Sequence, residues 1–475
     1  MTLRTTPAAP TRRRLHRAWF VAAVAFVAIL GAAGFRATPG VLITPLREEF
    51  GWSTGTISLA VSINLVLYGL TAPFAAALMD RFGMRRVVAI ALLLIALGSG
   101  FTVLMTASWQ LLLLWGVFVG LGTGSMALVF AATVVDRWFV RHRGLVTGIL
   151  TAGGATGQLI FLPVLAHLAE GPGWRVASLA VAGSALAVVP FVWWLLRDHP
   201  ADVGTTALGA AHGDRAASRS EANQHSEGVP SSGGGATQER RGKTAAYGDR
   251  AASRSEANQH SAEPGMVLPQ PSKVNAAVRA VTVLVRAART RPFWLLAGGF
   301  AICGASTNGL VGTHFIPAAH DHGMAEPVAA GLLAVIGIFD IAGTIASGWL
   351  SDKINPKILL GVYYGLRGLS LMVLPSLFAA TTEPSMLIFI VFYGLDWVAT
   401  VPPTVALCRR IYGADGAVVF GWVFGSHQIG AAFAAVGAGL TRDHLGAYDL
   451  AWYGAGALCL LAAGMSLAIG HARTR

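Results

Sequence analysis

Charged side chains are scarce in this chain: they make up 12% of its 475 residues, while 54% are hydrophobic. A water-soluble domain carries about 25% charge, so water is not the solvent for most of this molecule. Cysteine is scarcer still. Cys303, Cys408 and Cys459 each fall inside an apolar run at no pairing spacing, which excludes a disulfide framework and leaves structural thiols. The sequence also lacks a metal-ligand cluster, a nucleophile motif and a phosphate-binding glycine loop, so no enzyme activity, metal or cofactor is expected. Nor does it show the alternating segments of about ten residues that build a membrane β-barrel.

What it does have is long apolar runs. Twelve stretches approach the length of about 20 residues that crosses the hydrocarbon core, at 18–40, 55–78, 87–106, 109–134, 144–168, 174–196, 294–318, 327–350, 357–379, 386–407, 416–440 and 448–470. Backbone amides facing lipid must be paired within their own segment, so runs of this length are helices and the fold class is an all-α membrane protein. The expected organisation is an amino-terminal segment 1–17, a six-helix bundle 18–197, a linker 198–291, a second six-helix bundle 292–470 and a tail 471–475. The arginine-rich start followed by an apolar run from Ala18 also has the form of a signal peptide, but the length of the run and the eleven spans after it favour a retained first crossing.

The formal charge of +12 first suggests nucleic acid, but its placement argues for topology instead. With the amino terminus inside, Arg12, Arg13, Arg14 and Arg17, the loops around Arg81, Arg85, Arg86, Arg137, Arg141 and Arg143, the linker, Lys353, Lys357, Arg409, Arg410 and the tail share one face. That face holds 30 of the 35 Lys and Arg, leaving only Arg36, Arg47, Arg175, Arg367 and Arg442. This is the positive-inside pattern of an inner-membrane protein with both termini in the cytoplasm, facing anionic lipid and not nucleic acid.

Two features repeat at nearly one offset. Asp80 follows span 2 and Asp352 follows span 8, 272 positions later; Gly148 and Gly157 recur as Gly421 and Gly430, 273 positions later. A shared offset means duplicated halves. Between them the linker is rich in Gly, Ser, Ala, Arg and Glu, too polar to fold, and repeats residues 213–226 verbatim at 248–261. Just before span 7, Val274, Val278, Val281 and Val285 fall on one side of a basic amphipathic helix that suits the anionic inner leaflet.

The loop Asp80-Arg81-Phe82-Gly83-Met84-Arg85-Arg86 and its copy from Asp352-Lys353 resemble the paired loop signature of the major facilitator superfamily. That resemblance implies two six-helix halves that rock around a central site, with Asp80, Arg81, Arg85, Asp352 and Lys353 forming conformational latches. A narrower likeness lies in Leu46 to Ser53, in Trp138 to Gly148 and in Phe339-Asp340-Ile341-Ala342-Gly343-Thr344, which are similar to the monocarboxylate porter and oxalate/formate antiporter branch. In that branch the helix 8 aspartate is proton-linked; Thr344 here stands where the branch has arginine. Drug/proton antiporters carry an arginine in helix 4 and a Gly-Pro pair in helix 5, and this chain has neither.

Ionised residues near mid-bilayer cost at least about 2.5–3.5 kcal/mol, so each is a candidate for pairing or for the transport path. Asp340, Arg367 and Asp396 count to the midplane, and Arg36, a turn before Pro39-Gly40, towards the outer end. A guanidinium fork suits a carboxylate, so Arg36 and Arg367 are substrate candidates; equally, Arg36 is placed to snorkel, and Arg367 to pair with Asp340 or Asp396. Asp340 and Asp396 are the proton-coupling candidates, with helix pairing the alternative for Asp396. Asn64, Tyr68, Asn308 and His427 could line the cavity or close interhelical hydrogen bonds. The reading is a monomeric secondary transporter, proton-coupled or exchanging, for a small organic anion such as a monocarboxylate; amphiphile efflux and a non-transporting receptor are the rivals.

Overall fold

The computed structural model describes residues 16–126, 128–210 and 276–470, and almost all of them are helical. The membrane-length helices are α1 (Arg17–Phe50), α2 (Thr54–Phe82), α3 (Met84–Phe101), α4 (Ser108–Trp138), α5 (Arg143–Glu170), α6 (Trp174–Leu195), α7 (Arg291–Asp321), α8 (Glu326–Lys353) and α9 (Pro356–Val373). They continue as α10, in two pieces (Pro384–Asp396 and Val401–Tyr412), α11 (Gly416–Leu445) and α12 (Asp449–Leu467). Eleven helical stretches of the described residues are long and apolar enough to cross a membrane, and one of these, Pro384–Leu445, runs 62 residues. At 1.5 Å per residue it would extend roughly 90 Å, about three bilayer cores, so it must fold back. It does so at the 3-10 turn Gly413–Asp415, where Gly413 takes φ 56°. Among the described residues twelve crossings result, so the start of α1, the end of α6, the start of α7 and the end of α12 lie on one side, here called the termini side.

The repeat seen in sequence is repeated in packing. A methyl on Gly157 would lie 2.5 Å from Ala33 Cβ on α1, and one on Gly430 would lie 2.0 Å from the Ala301 carbonyl oxygen on α7. Gly148 and Gly421, their companions in each half, have nothing within 4 Å. Thus α5 lies against α1 as α11 lies against α7, with glycine at the point of closest approach in both pairs. The halves meet through α2 with α11, α5 with α8 and α1 with α7.

Two expectations change. First, α1 does not end at Pro39-Gly40 but runs through Pro39 and Pro45 to Phe50. Thr38 Oγ1 donates to the Gly34 carbonyl just before Pro39, and Gly40 lies close against the Gly312 carbonyl of α7, so neighbouring groups carry the helix past its prolines. Second, residues 198–210, expected to belong to an unfolded linker, are held in place. Leu208 N donates to the Trp138 carbonyl, and Val140 N donates to the Leu208 carbonyl at 2.9 Å, while Val203 and Leu208 pack on the core. The helix before α7 spans Ala276–Ala288; it buries Ala280, Val283 and Ala287 against the bundle and leaves Val278, Val281 and Val285 on its exposed face. Trp422 Nε1 donates to the Ala280 carbonyl, and Arg279 and Arg286 both reach Asp415. The duplicated segment and its copy lie outside the described residues.

Replacing Gly430 with alanine forces overpacking against backbone, which costs about 1–3 kcal/mol. Gly430→Ala is therefore expected to lower the thermal unfolding midpoint in detergent by several degrees, whereas Gly421→Ala, with open space around it, leaves it unchanged or slightly raised.

Candidate functional site

The centre of the second half is organised by a break. Between Asp396 and Val401 the α10 backbone leaves the α-helical path, ahead of Pro402-Pro403, which lack the amide hydrogens an unbroken helix would use. Polar backbone freed at mid-membrane needs partners; α8 and α9 supply them, and α7 meets a side chain of the break. From α9, Arg367 Nη2 donates to the carbonyls of Asp396 at 2.5 Å and Trp397 at 3.2 Å. From α8, Asp340 Oδ1 accepts from Val398 N at 3.0 Å, and Ser347 Oγ donates to the Ala399 carbonyl. From α7, Cys303 Sγ lies 3.2 Å from Thr400 Oγ1.

Arg367 is fully buried, and each of its three nitrogens is engaged: Nε donates to Asp396 Oδ2 at 2.5 Å and Nη1 to Cys303 Sγ at 3.0 Å. Asp396 is equally internal, with one oxygen on Arg367 and Oδ1 without a hydrogen-bond partner among the described residues. The pair therefore sits inside the second half rather than on the path between halves. Asp340 differs. Its Oδ1 also takes the Thr344 hydroxyl at 3.1 Å, but its carboxyl helps wall a cavity between the halves, with Gln158 of α5, Leu333 and Gly337 of α8, and Trp397.

On the other side of that interface stands Arg36. Its Nη2 donates to Tyr68 Oη, and Tyr68 is the central residue of α2, so Arg36 lies at mid-depth and not at the outer end. The extension of α1 to Phe50 is the reason. Its side chain is exposed, with Tyr68 as its hydrogen-bond partner among the described residues, and a methyl on Gly154 of α5 would lie 3.7 Å from Nη1. No carboxylate of the described residues pairs with it. Tyr68 meets Phe424 of α11 with ring centroids 6.0 Å apart, and Phe424 stacks on His427, which also lies 4.9 Å from the ring of Phe300. A row of rings thus joins the Arg36 side of the interface to the buried network of the second half.

The remaining candidates divide by partner. Asn64 Nδ2 is committed to the Trp115 carbonyl, which the π-helical segment Leu112–Val119 of α4 releases. Asn308 lies in the π-helical segment Ala305–Val311 of α7, and its side chain has no hydrogen-bond partner among the described residues. His427 is buried between its aromatic neighbours, and Nδ1 has no hydrogen-bond partner among the described residues. At the termini side Asp80 pairs with Arg137 of its own half at 2.5 Å, Arg81 lies over Phe82 and Arg85 over Trp193. Lys353 sits 3.8 Å from the centroid of Trp349, and Asp352 makes no ion pair among the described residues. Sequence reasoning missed Cys303, Ser347, Thr400 and Gln158, whose uncharged side chains act only through where the break and the cavity lie.

Residues 24–435 match the family model of the Major Facilitator Superfamily. Relatives include YcxA of Bacillus subtilis (strain 168), an uncharacterised MFS-type transporter, 24% identical over 95% of this chain and 94% of its own. Human monocarboxylate transporter 11 is 25% identical over 93% of this chain and 80% of its own. Among solved structures, a bacterial homologue of the human lysosomal transporter Spinster superposes with a TM-score of 0.66 at 13% identity, covering 96% of this chain and 97% of its own. The xylose transporter XylE of E. coli superposes with a TM-score of 0.65 at 13% identity over 96% and 98% of the two chains. A family match across most of the sequence, on two packed six-helix halves, makes the chain a member of the Major Facilitator Superfamily, a multi-pass membrane transporter for a small molecule.

Proposed function

We propose that this transporter moves a small organic anion, a monocarboxylate, across the inner membrane by alternating access, with both termini in the cytoplasm and one chain as the working unit. The observation that carries the reading is the contrast between its two mid-membrane arginines. Arg367 has its counter-charge and its acceptors inside the protein, whereas Arg36 faces the interface with a phenol as its polar partner. An unmatched guanidinium at that depth is costly, and a carboxylate solute is the group that its two parallel N–H donors fit. Tyr68 orients the fork, and the rings of Phe424 and His427 offer an apolar flank to the body of the solute.

Asp340 is the proton carrier in this scheme. It combines a buried carboxyl, a wall position on the inter-half cavity and a hydrogen bond to α10, so a change in its charge acts on the α10 break as well as on the cavity. Resemblance to the monocarboxylate branch, and likeness to a monocarboxylate transporter over most of the chain, support the same substrate class. Arg367 and Asp396 hold the second half together rather than touching solute.

Counterflow of radiolabelled pyruvate, lactate and larger monocarboxylates into proteoliposomes tests the reading; no anion-dependent flux across such a panel overturns it. Arg36→Ala is expected to reduce the rate at least about a hundredfold, the scale of losing a charge-assisted bidentate contact, and Arg36→Lys to recover part of it. Asp340→Asn should keep exchange of one anion for another while losing accumulation driven by a pH gradient. Arg367→Ala leaves a buried carboxylate and two carbonyls unmatched, so folded yield and thermal midpoint fall together, by the equivalent of about 3–5 kcal/mol.

A further inference from the structure

Helix α2 starts with amides that its own half does not satisfy. Its N-cap, Ser53, accepts from Thr56 N at 3.1 Å, which leaves the first two amides of the helix open. Both are met from the other half of the molecule. Asp443, near the end of α11, accepts from Thr54 N on Oδ1 at 2.9 Å and from Gly55 N on Oδ2 at 2.6 Å. The carboxylate therefore sits on the positive end of α2, with one oxygen for each amide. The fit is close: a methyl on Gly55 would lie 3.0 Å from Asp443 Oδ2 and 2.9 Å from Leu440 Cδ2, and one on Gly439 would lie 2.8 Å from Ser58 Oγ.

Other polar ties between the halves are weaker. Arg47 approaches Asp321 at 3.9 Å, but Asp321 is already held by Arg442 of its own half at 2.6 and 3.1 Å. Ser62 Oγ donates to the Ala432 carbonyl at 2.7 Å and, within α2, to the Ser58 carbonyl. All of these lie in the part of the bundle away from the termini. On the termini side Asp80 is engaged within its own half.

We propose that Asp443 is the positioning residue that latches the face away from the termini shut, by capping α2 from the opposite half, and that breaking this cap is a step of every transport cycle. When the halves part on that face, the carboxylate and both amides pass to water; when they close, the cap re-forms. Its strength sets the ratio of the two states. The proposal rests on alternating access by a family member and not on the identity of the solute, so it stands or falls separately from the anion reading.

The test uses the full chain in lipid nanodiscs without substrate. Spin labels at Thr106→Cys and Ser385→Cys, exposed positions at that face in opposite halves, report the separation by double electron–electron resonance; Cys303, Cys408 and Cys459 are buried. Asp443→Ala is expected to raise the ratio of separated to closed forms by roughly threefold to tenfold, the scale of losing a helix cap, and Asp443→Asn by less because one acceptor remains. Thr54→Pro removes a donor without touching a charge. Proline is well accommodated at the first helical position, and Ser53 already has the extended backbone (φ −68°, ψ 152°) that a following proline needs. It should shift the distances in the same direction, and the pair Asp443→Ala with Thr54→Pro no further than Asp443→Ala alone. Unchanged distances in folded Asp443→Ala, a shift there without one in Thr54→Pro, or additive shifts in the pair each overturn the proposal. If Asp443→Ala does not fold, Thr54→Pro and Asp443→Asn decide it: no shift in either overturns it.

Discussion

Backbone polar groups in the middle of a membrane must find partners inside the protein, and in this molecule that requirement is met most visibly around the break in α10. The break exposes carbonyls and an amide at the level where water is absent. Arg367, Asp340 and Ser347, drawn from two helices, converge on them, and Cys303 of a third meets the Thr400 hydroxyl beside them. The first half handles the same position without charge. Subtracting the repeat offset from the broken segment, 399 − 273 = 126, points to Met126, where α4 also leaves the α-helical path. There Thr123 donates to the carbonyls of Val119 and Gly120, and Asn64 takes up the Trp115 carbonyl.

That division separates the two arginines. A guanidinium satisfied on every nitrogen by carboxylate, carbonyl and thiol is part of the scaffold; one held by a single phenol at an interface retains donors for something else. Arg36 belongs to the second kind because α1 carries it to the level of Tyr68, where the halves face each other. Asp340 stands between the two roles, joined to the broken helix through one oxygen and to the cavity by its position. In the proposed function, chemistry at the cavity and geometry of the second half are coupled through this single side chain.

Contacts between halves are arranged by depth. Away from the termini they are polar and directional, through Asp443, Arg47 and Ser62; deeper they become aromatic, through Tyr68 with Phe424 and Phe74 with Trp422. Directional contacts have two settings, made or broken, whereas rings can slide past one another at modest cost. Under the proposed alternating access, the first kind suits a face that opens and closes, and the second a centre about which the halves move.

The crossings and the duplication could be read from residue order, because hydrophobic length and repeat spacing are properties of each segment that lipid enforces separately. Repeat spacing even located the tight glycines Gly157 and Gly430 and their open companions. The full reach of α1 was not readable: Pro39-Gly40 has the look of an ending, and the contacts that carry the helix past it come from Thr38 and α7. What residue order determined was thus the number of helices, their pairing by repeat and the small set of charges in the membrane. Which charge is scaffold and which is free was decided only by tertiary structure, because a buried ion is matched by groups from other helices, and no spacing along one helix specifies who arrives from the next.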